Sequence, residues 1–352
     1  MASYNRTHVL SFIAQLLHPK SKVADSFLPA PQGFWNRLVQ IGSSQLVLPA
    51  IYGALKRKKL EHHVPNDLLF YLNEIRDLNC KRNKEIFKQI FYIHELFSKN
   101  DIEYVFLKGA ALLITKPYDT KNERMVGDID ILVSENAIIR AQEILINQGF
   151  VAVSDEFSFT EGLSSKPLHL KRIIHPNYIA AVELHETLLK KENYLISPKD
   201  VIENKVQAKK GFWIPSKYHV WQHTILNWQY NDIGMAQNSL AFRSVVDGLY
   251  LEPENVEVKI KSSPKAIKHF YSLLSYYYED YKNYFPLKKM LYKWKLKSIF
   301  FYRVYVFFKK LISFTHVVFH RIMLFLRSKI YQRRILKNYN LVLTRILNFW
   351  NK

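Results

Sequence analysis

The chain has 352 residues, enough for one large core with helical additions or for two compact domains. Its 48% hydrophobic content supports a packed interior, and a single cysteine, Cys80, excludes internal disulfides and fits a reducing compartment. The net charge of +21 is uneven, because residues 281–352 hold seventeen Lys and Arg with no Asp or Glu, leaving a body close to neutral.

Residues 1–98 read as a helical region. The apolar run Val9–Leu17 is broken by Gln15 and has no small-residue cleavage site. It therefore reads as the first helix rather than as a signal peptide, and a cytoplasmic location is expected. Apolar residues then recur at helical spacing, first at Trp35, Leu38, Val39 and Ile41 and later at Ile86, Ile90, Ile93, Leu96 and Phe97, with a connecting loop at Pro29–Gly33. Residues 99–190 change character. Ile102–Leu107 is strand-like, Ala110–Thr115 a short helix, Asp128–Val133 a strand, and Asn136–Asn147 a helix ended by Gly149. Phe150–Ser154 reads as a further strand, Lys166–Asn177 as a basic loop or hairpin, and Ala180–His185 as the last core strand. Residues 191–285 turn helical again beyond Pro198, and 286–352 form the basic tail. The expected fold class is α+β, a small mixed sheet flanked by helical regions.

The chemistry concentrates at Gly127-Asp128-Ile129-Asp130-Ile131-Leu132-Val133. Successive side chains of a strand point to opposite faces, so Asp128 and Asp130 share one face while Ile129 and Ile131 turn to the other. Two adjacent carboxylates repel each other and require a counter-charge. A divalent metal supplies one, because Mg²⁺ (or Mn²⁺) takes hard oxygen ligands and links protein carboxylates to substrate phosphates. One cysteine and histidines without ligand spacing exclude a His–Cys zinc site.

Taken with Phe106-Leu107-Lys108-Gly109-Ala110-Ala111-Leu112-Leu113 and Arg124 upstream, this stretch resembles the nucleotidyltransferase superfamily typified by DNA polymerase β and the aminoglycoside nucleotidyltransferases. It is most similar to an uncharacterised bacterial branch whose members often accompany surface-polysaccharide or peptide-natural-product genes. The resemblance covers roughly residues 100–190, more faintly Trp35–Tyr52 and Leu240–Leu251, and none of the last 65 residues. It implies transfer of a nucleoside monophosphate from a nucleoside triphosphate to an acceptor. It also implies a third carboxylate from a neighbouring strand, which Val182-Glu183-Leu184-His185 supplies as Glu183. Asp128, Asp130 and Glu183 would hold the metal or metals, with Glu183 the alternative general base.

Lys108 and Gly109 would begin the phosphate-binding turn, with Lys116, Lys121 and above all Arg124 as further phosphate contacts. His185 would orient Glu183 or satisfy a local hydrogen bond beside the nucleotide. Arg243 and Asp247 resemble a recurring Arg-x-x-x-Asp helix and are expected to pair. The chain departs from the superfamily in having Ala110 where serine is usual after the glycine, in the longer gap before Asp128, and in Glu183 where the branch mostly has Asp. These departures sustain an alternative, a catalytically degenerate scaffold that binds membrane or a partner protein through its tail. A third reading, a toxin-like or regulatory enzyme acting on tRNA or protein, shares the same site.

In the tail, Ser298–Arg327 places Arg303, Lys309, Lys310, His316, His320, Arg321 and Arg327 on one helical arc, with aromatic and aliphatic residues filling the rest. The longest stretch free of Lys and Arg within it, Leu311–His320, is too short to span a bilayer. A broad apolar face with a purely basic arc suits an anionic membrane surface, here the inner face. Self-docking, an oligomer contact and single-stranded nucleic acid are the weaker fits.

Overall fold

The computed structural model describes residues 6–153, 170–190, 193–340 and 344. These form two compact units, a body that runs to Lys297 and a smaller unit that begins at Ser298.

The body opens with α1 (Arg6–Leu17), α2 (Gln32–Ser44), α3 (Leu48–Arg57) and the long α4 (Asn66–Lys99). No Gly or Pro interrupts α4, and Pro65 precedes its first turn. Its buried stripe starts with Leu68 and Leu72 and ends with Ile86, Ile90, Ile93 and Phe97, but Asn79, Asn83 and Gln89 lie on the same stripe. Those amides are there to hold backbone. Asn79 donates to the carbonyls of Asn122 and Arg124, Asn83 donates to those of Lys121 and Arg124, and Gln89 exchanges two hydrogen bonds with Ala180. Buried polar groups are stable only when paired, so α4 acts as a fixed rail for the loop that leads into the aspartates.

The α/β part follows with β1 (Tyr104–Phe106), α5 (Lys108–Thr115), α6 (Thr120–Glu123), β2 (Asp128–Val133), α7 (Ile138–Asn147), β3 (Val151–Ala152), β4 (Ile173–Ile174) and β5 (Ala181–His185). The sheet order is β1-β2-β5-β4-β3, with β2 and β5 parallel and the other neighbours antiparallel. This is the expected small mixed sheet. Gly149, at φ +90°, ends the chain segment after α7 in the left-handed region, as the sequence suggests. The strand expected at Phe150–Ser154 is two residues long, and the basic segment before Asn177 supplies β4; its residues 166–169 lie outside the described residues.

The rest of the body comprises α8 (Pro198–Glu203), β6 (Val206–Gln207), β7 (Trp213–Ile214), α9 (Lys217–Leu226), α10 (Gly234–Gln237), α11 (Phe242–Leu251), α12 (Val256–Ser262), α13 (Lys265–Leu274) and α14 (Pro286–Lys297). The β6–β7 ribbon interrupts a region whose sequence reads as wholly helical. Side chains of α1–α3 and of α9, α11 and α13 join in one hydrophobic core, while α4, α7 and the sheet enclose another. The N-terminal and C-terminal helical regions are thus halves of one layer. Tyr278 Oη donates to the Ala14 carbonyl, and Phe242 N to Gln45 Oε1. Composition groups α14 with the basic tail, but its buried Tyr292 hydrogen-bonds Tyr277, and Asn238 donates to the Lys288 carbonyl, so it packs within the body.

The second unit contains α15 (Ile299–Arg327) and α16 (Lys329–Lys337). Ser328 caps α16 by accepting from Tyr331 N, while the buried Tyr331 accepts from Arg321 and Gln332 donates to the Phe325 carbonyl. Among the described residues, no helix is long and apolar enough to cross a membrane.

Candidate active site

Register alone brings the acidic residues together. In the parallel β2–β5 pair, Asp130 stands beside Glu183, Asp128 beside Ala181 and Leu132 beside His185. Ile129, Ile131, Val182 and Leu184 are fully buried on the other face. Asp128, Asp130, Glu183 and His185 therefore share the face that the alternation predicts.

Asp130 is the centre. Its Oδ1 accepts from Lys108 Nζ at 2.6 Å and from His185 Nε2 at 2.8 Å, and its side chain is only 4% exposed. Burial by itself would raise its pKa, but Lys108 and the His185 hydrogen bond outweigh that and hold it well below the usual carboxylate range. Lys108 shows the reciprocal effect. Burial disfavours its charge, yet Asp130, then Glu183 and Asp128, raise its pKa. Asp128 is raised, by burial first and then by the neighbouring Asp130 and Glu183.

Lys108 reaches Asp130 from an unusual backbone conformation. It occupies the left-handed region at φ +46°, at the start of α5, while Leu107 N donates to the Asp130 carbonyl. The neighbouring Gly109 does not supply that turn. Its own φ is ordinary, and a Cβ there would lie 3.0 Å from Val126 Cγ1, so packing demands its small size.

Arg172, just before β4, is the residue the sequence reading missed. Its Nη2 donates to Asp128 Oδ2 at 3.1 Å and to Glu183 Oε1 at 2.9 Å, and its Nε donates to Glu183 Oε1 at 3.1 Å. Ile173 pairs with Val182 across the sheet, so Arg172 falls opposite Glu183. That follows only once the hairpin's register is known. His223, on α9, was also missed. It is buried with Nε2 unpaired, and burial, Lys108 and His185 lower its pKa to about 3.

Of the other expected residues, Arg124 lies in the segment before β2 and is turned to α11. Its Nε donates to Asp247 at 2.8 and 3.1 Å, and Tyr118 Oη adds a bond of 2.6 Å to the same carboxylate. The expected Arg243–Asp247 pair is replaced by this one: Arg243 lies one turn earlier on α11 and forms no ion pair with Asp247, because Arg124 and Tyr118 already fill its oxygens. Lys116 and Lys121 line a separate hollow with Asn83, Lys84, Phe87 and Lys88. Neither contacts the carboxylates among the described residues.

Asp130, Glu183 and His185 offer ligand atoms that all lie within 4.8 Å of one another. Two carboxylate oxygens and an imidazole nitrogen, on rigid adjacent strands, fit a divalent cation. Asp128, expected as a ligand from its spacing, lies outside that closest set and faces Arg172. No curated protein sequence matches the chain. Residues 31–242 do match a family described as uncharacterised nucleotidyltransferase. The match covers more than half of the sequence and spans every residue of the carboxylate site, and the chain belongs to this nucleotidyltransferase family.

Proposed function

We propose that the protein transfers a nucleoside monophosphate from a nucleoside triphosphate to an acceptor oxygen, with release of pyrophosphate. The observation that carries this reading is the meeting of Asp130, Glu183 and His185 at one point, beside Asp128 and at the foot of Lys108. Asp128, Asp130 and Glu183 would hold Mg²⁺ or Mn²⁺, which when bound neutralises phosphate charge and orients the reacting groups. Lys108 would set a positive charge for the triphosphate, and Gly109 follows it in the first turn of α5. Alternatively, Glu183 would act as the general base that takes the acceptor's proton. His185 keeps Asp130 in its ionised form and in one orientation. Arg124, committed to Asp247, fixes α11 against the strand entrance and supports the phosphate site indirectly.

A second reading is a degenerate scaffold. It is favoured by the cations of Lys108 and Arg172, which lie against Asp130, Asp128 and Glu183. Calorimetry with Mg²⁺ and each of ATP, CTP, GTP and UTP separates the two, since the scaffold shows no metal-dependent uptake. Incubation with labelled nucleotides and a lysate of the source cell then identifies the acceptor. A surface-polysaccharide or peptide precursor is the class the resemblance suggests.

The basic tail is proposed to rest on an anionic membrane surface. Phe300, Phe307, Phe308, Leu311, Phe319, Ile322 and Leu326 of α15 are exposed, and exposed apolar side chains grouped on one helix suit a lipid surface.

A further inference from the structure

The Arg172 guanidinium stands where a cation would be needed, and three observations bear on what it does there. It bridges Asp128 and Glu183 from one nitrogen, at 3.1 and 2.9 Å. Its side chain is 45% exposed, against 38% for Asp128 and 11% for Glu183, so water competes for the guanidinium and most readily for its Asp128 contact. Its backbone is fixed, since the Arg172 carbonyl accepts from Val153 N, Leu170 N donates to the Leu184 carbonyl, and Ile173 pairs with Val182. The guanidinium can therefore leave the carboxylates but cannot leave the mouth of the site. It also keeps its charge at any working pH, and its planar fork fits a phosphate as well as it fits a carboxylate.

We propose that Arg172 is an exchangeable counter-ion: it holds Asp128 and Glu183 together until a metal–nucleotide complex arrives, then yields the carboxylates to the metal and takes up the nucleotide's phosphates. The proposal rests on the nucleotidyltransferase reading and adds a phosphate-binding residue that neither the motif nor its spacing indicates. It solves a physical problem of the site. Asp128 and Glu183 are like charges that share one guanidinium nitrogen, so they repel each other across the space it occupies. A resident cation keeps them charged and close, while a metal bound more strongly than one exposed guanidinium can displace it. The displaced guanidinium lies beside the new phosphate charge and needs only a change of side-chain rotamer to reach it.

Exchange gives opposite signs for two bindings, which a structural role does not. In Arg172→Gln the competitor is gone, so Mn²⁺ alone, followed by calorimetry or by loss of the free-ion paramagnetic resonance signal, binds about threefold more tightly. The four α,β-methylene nucleoside triphosphates, titrated with Mn²⁺ present, then show the one that the wild-type protein prefers binding about tenfold more weakly. Arg172→Lys restores competition with Mn²⁺ and only part of the nucleotide affinity, because an ammonium cannot grip two oxygens in a plane. Thermal melting of each variant separates these effects from unfolding. If Arg172→Gln leaves both affinities unchanged, or moves both in the same direction, the exchange is refuted and the nucleotidyltransferase reading stands. If the wild-type protein takes up neither Mn²⁺ nor any nucleotide, that reading fails and the role of Arg172 fails with it.

Discussion

Arg124 and Asp247 are 123 positions apart in sequence and form a two-point ion pair, at 2.8 and 3.1 Å, with side chains 11% and 3% exposed. It ties the loop before β2 to α11 and so joins the two halves of the body at the floor of the site. A buried pair that loses one partner leaves an uncompensated charge. Asp247→Ala should therefore destabilise the protein by about 3–5 kcal/mol in urea unfolding. Arg124→Lys should recover only part of the difference from Arg124→Ala, since lysine cannot bond both oxygens. Wild-type stability in Asp247→Ala would show the pair to be dispensable.

The two strand aspartates should separate stability from chemistry. Asp128 is 38% exposed in its pair with Arg172, so Asp128→Asn should change stability by less than about 1 kcal/mol while reducing nucleotide incorporation at least about a hundredfold. Asp130→Asn removes incorporation too, but leaves Lys108 with no matching charge and should cost about 2–4 kcal/mol in addition. Incorporation assays run beside urea titrations test both. Full activity in the double variant ends the catalytic reading.

His223 makes stability depend on pH on the acid side. Its pKa falls from 6.5 to about 3 in the folded protein because of burial, then Lys108 and His185. Between those values the unfolded chain binds a proton that the folded one refuses, so stability falls as pH drops from 6.5 towards 3. The loss is of the order of 5 kcal/mol at its full extent, and the part of the window above about pH 5 lies clear of carboxylate titration. Unfolding free energies measured from pH 7.5 to 4 should fall steeply in the wild type and less so in His223→Gln. Equal slopes would mean that the imidazole is not held neutral by its surroundings.

Truncation at Pro286 would strip α14, with its buried Tyr292, from the body, so a membrane test has to cut after Lys297. In flotation with vesicles containing anionic lipid, the full chain should rise and the chain ending at Lys297 should stay behind, with the difference shrinking as salt is added. If both fractions float equally, the exposed face of α15 serves some other contact.

Alternation along Asp128–Val133 and Val182–His185 already fixed which side chains share a face, because side-chain direction in a strand is a local property. The helical spacing of α4 and the break at Gly149 were legible for the same reason, whereas the left-handed turn before α5 falls on Lys108 and not on the glycine that the sequence offers for it. The partners were not. That Arg124 rather than Arg243 meets Asp247, that Arg172 bridges Asp128 and Glu183, and that His223 is buried within the field of Lys108 all depend on strand order and helix packing. Even the joining of α1–α3 with α9, α11 and α13 in one core carries no local signature. Sequence determined which residues could do chemistry here. The tertiary structure chose which charges balance one another, because ion pairing depends on distance in space and a chain's local pattern encodes only direction.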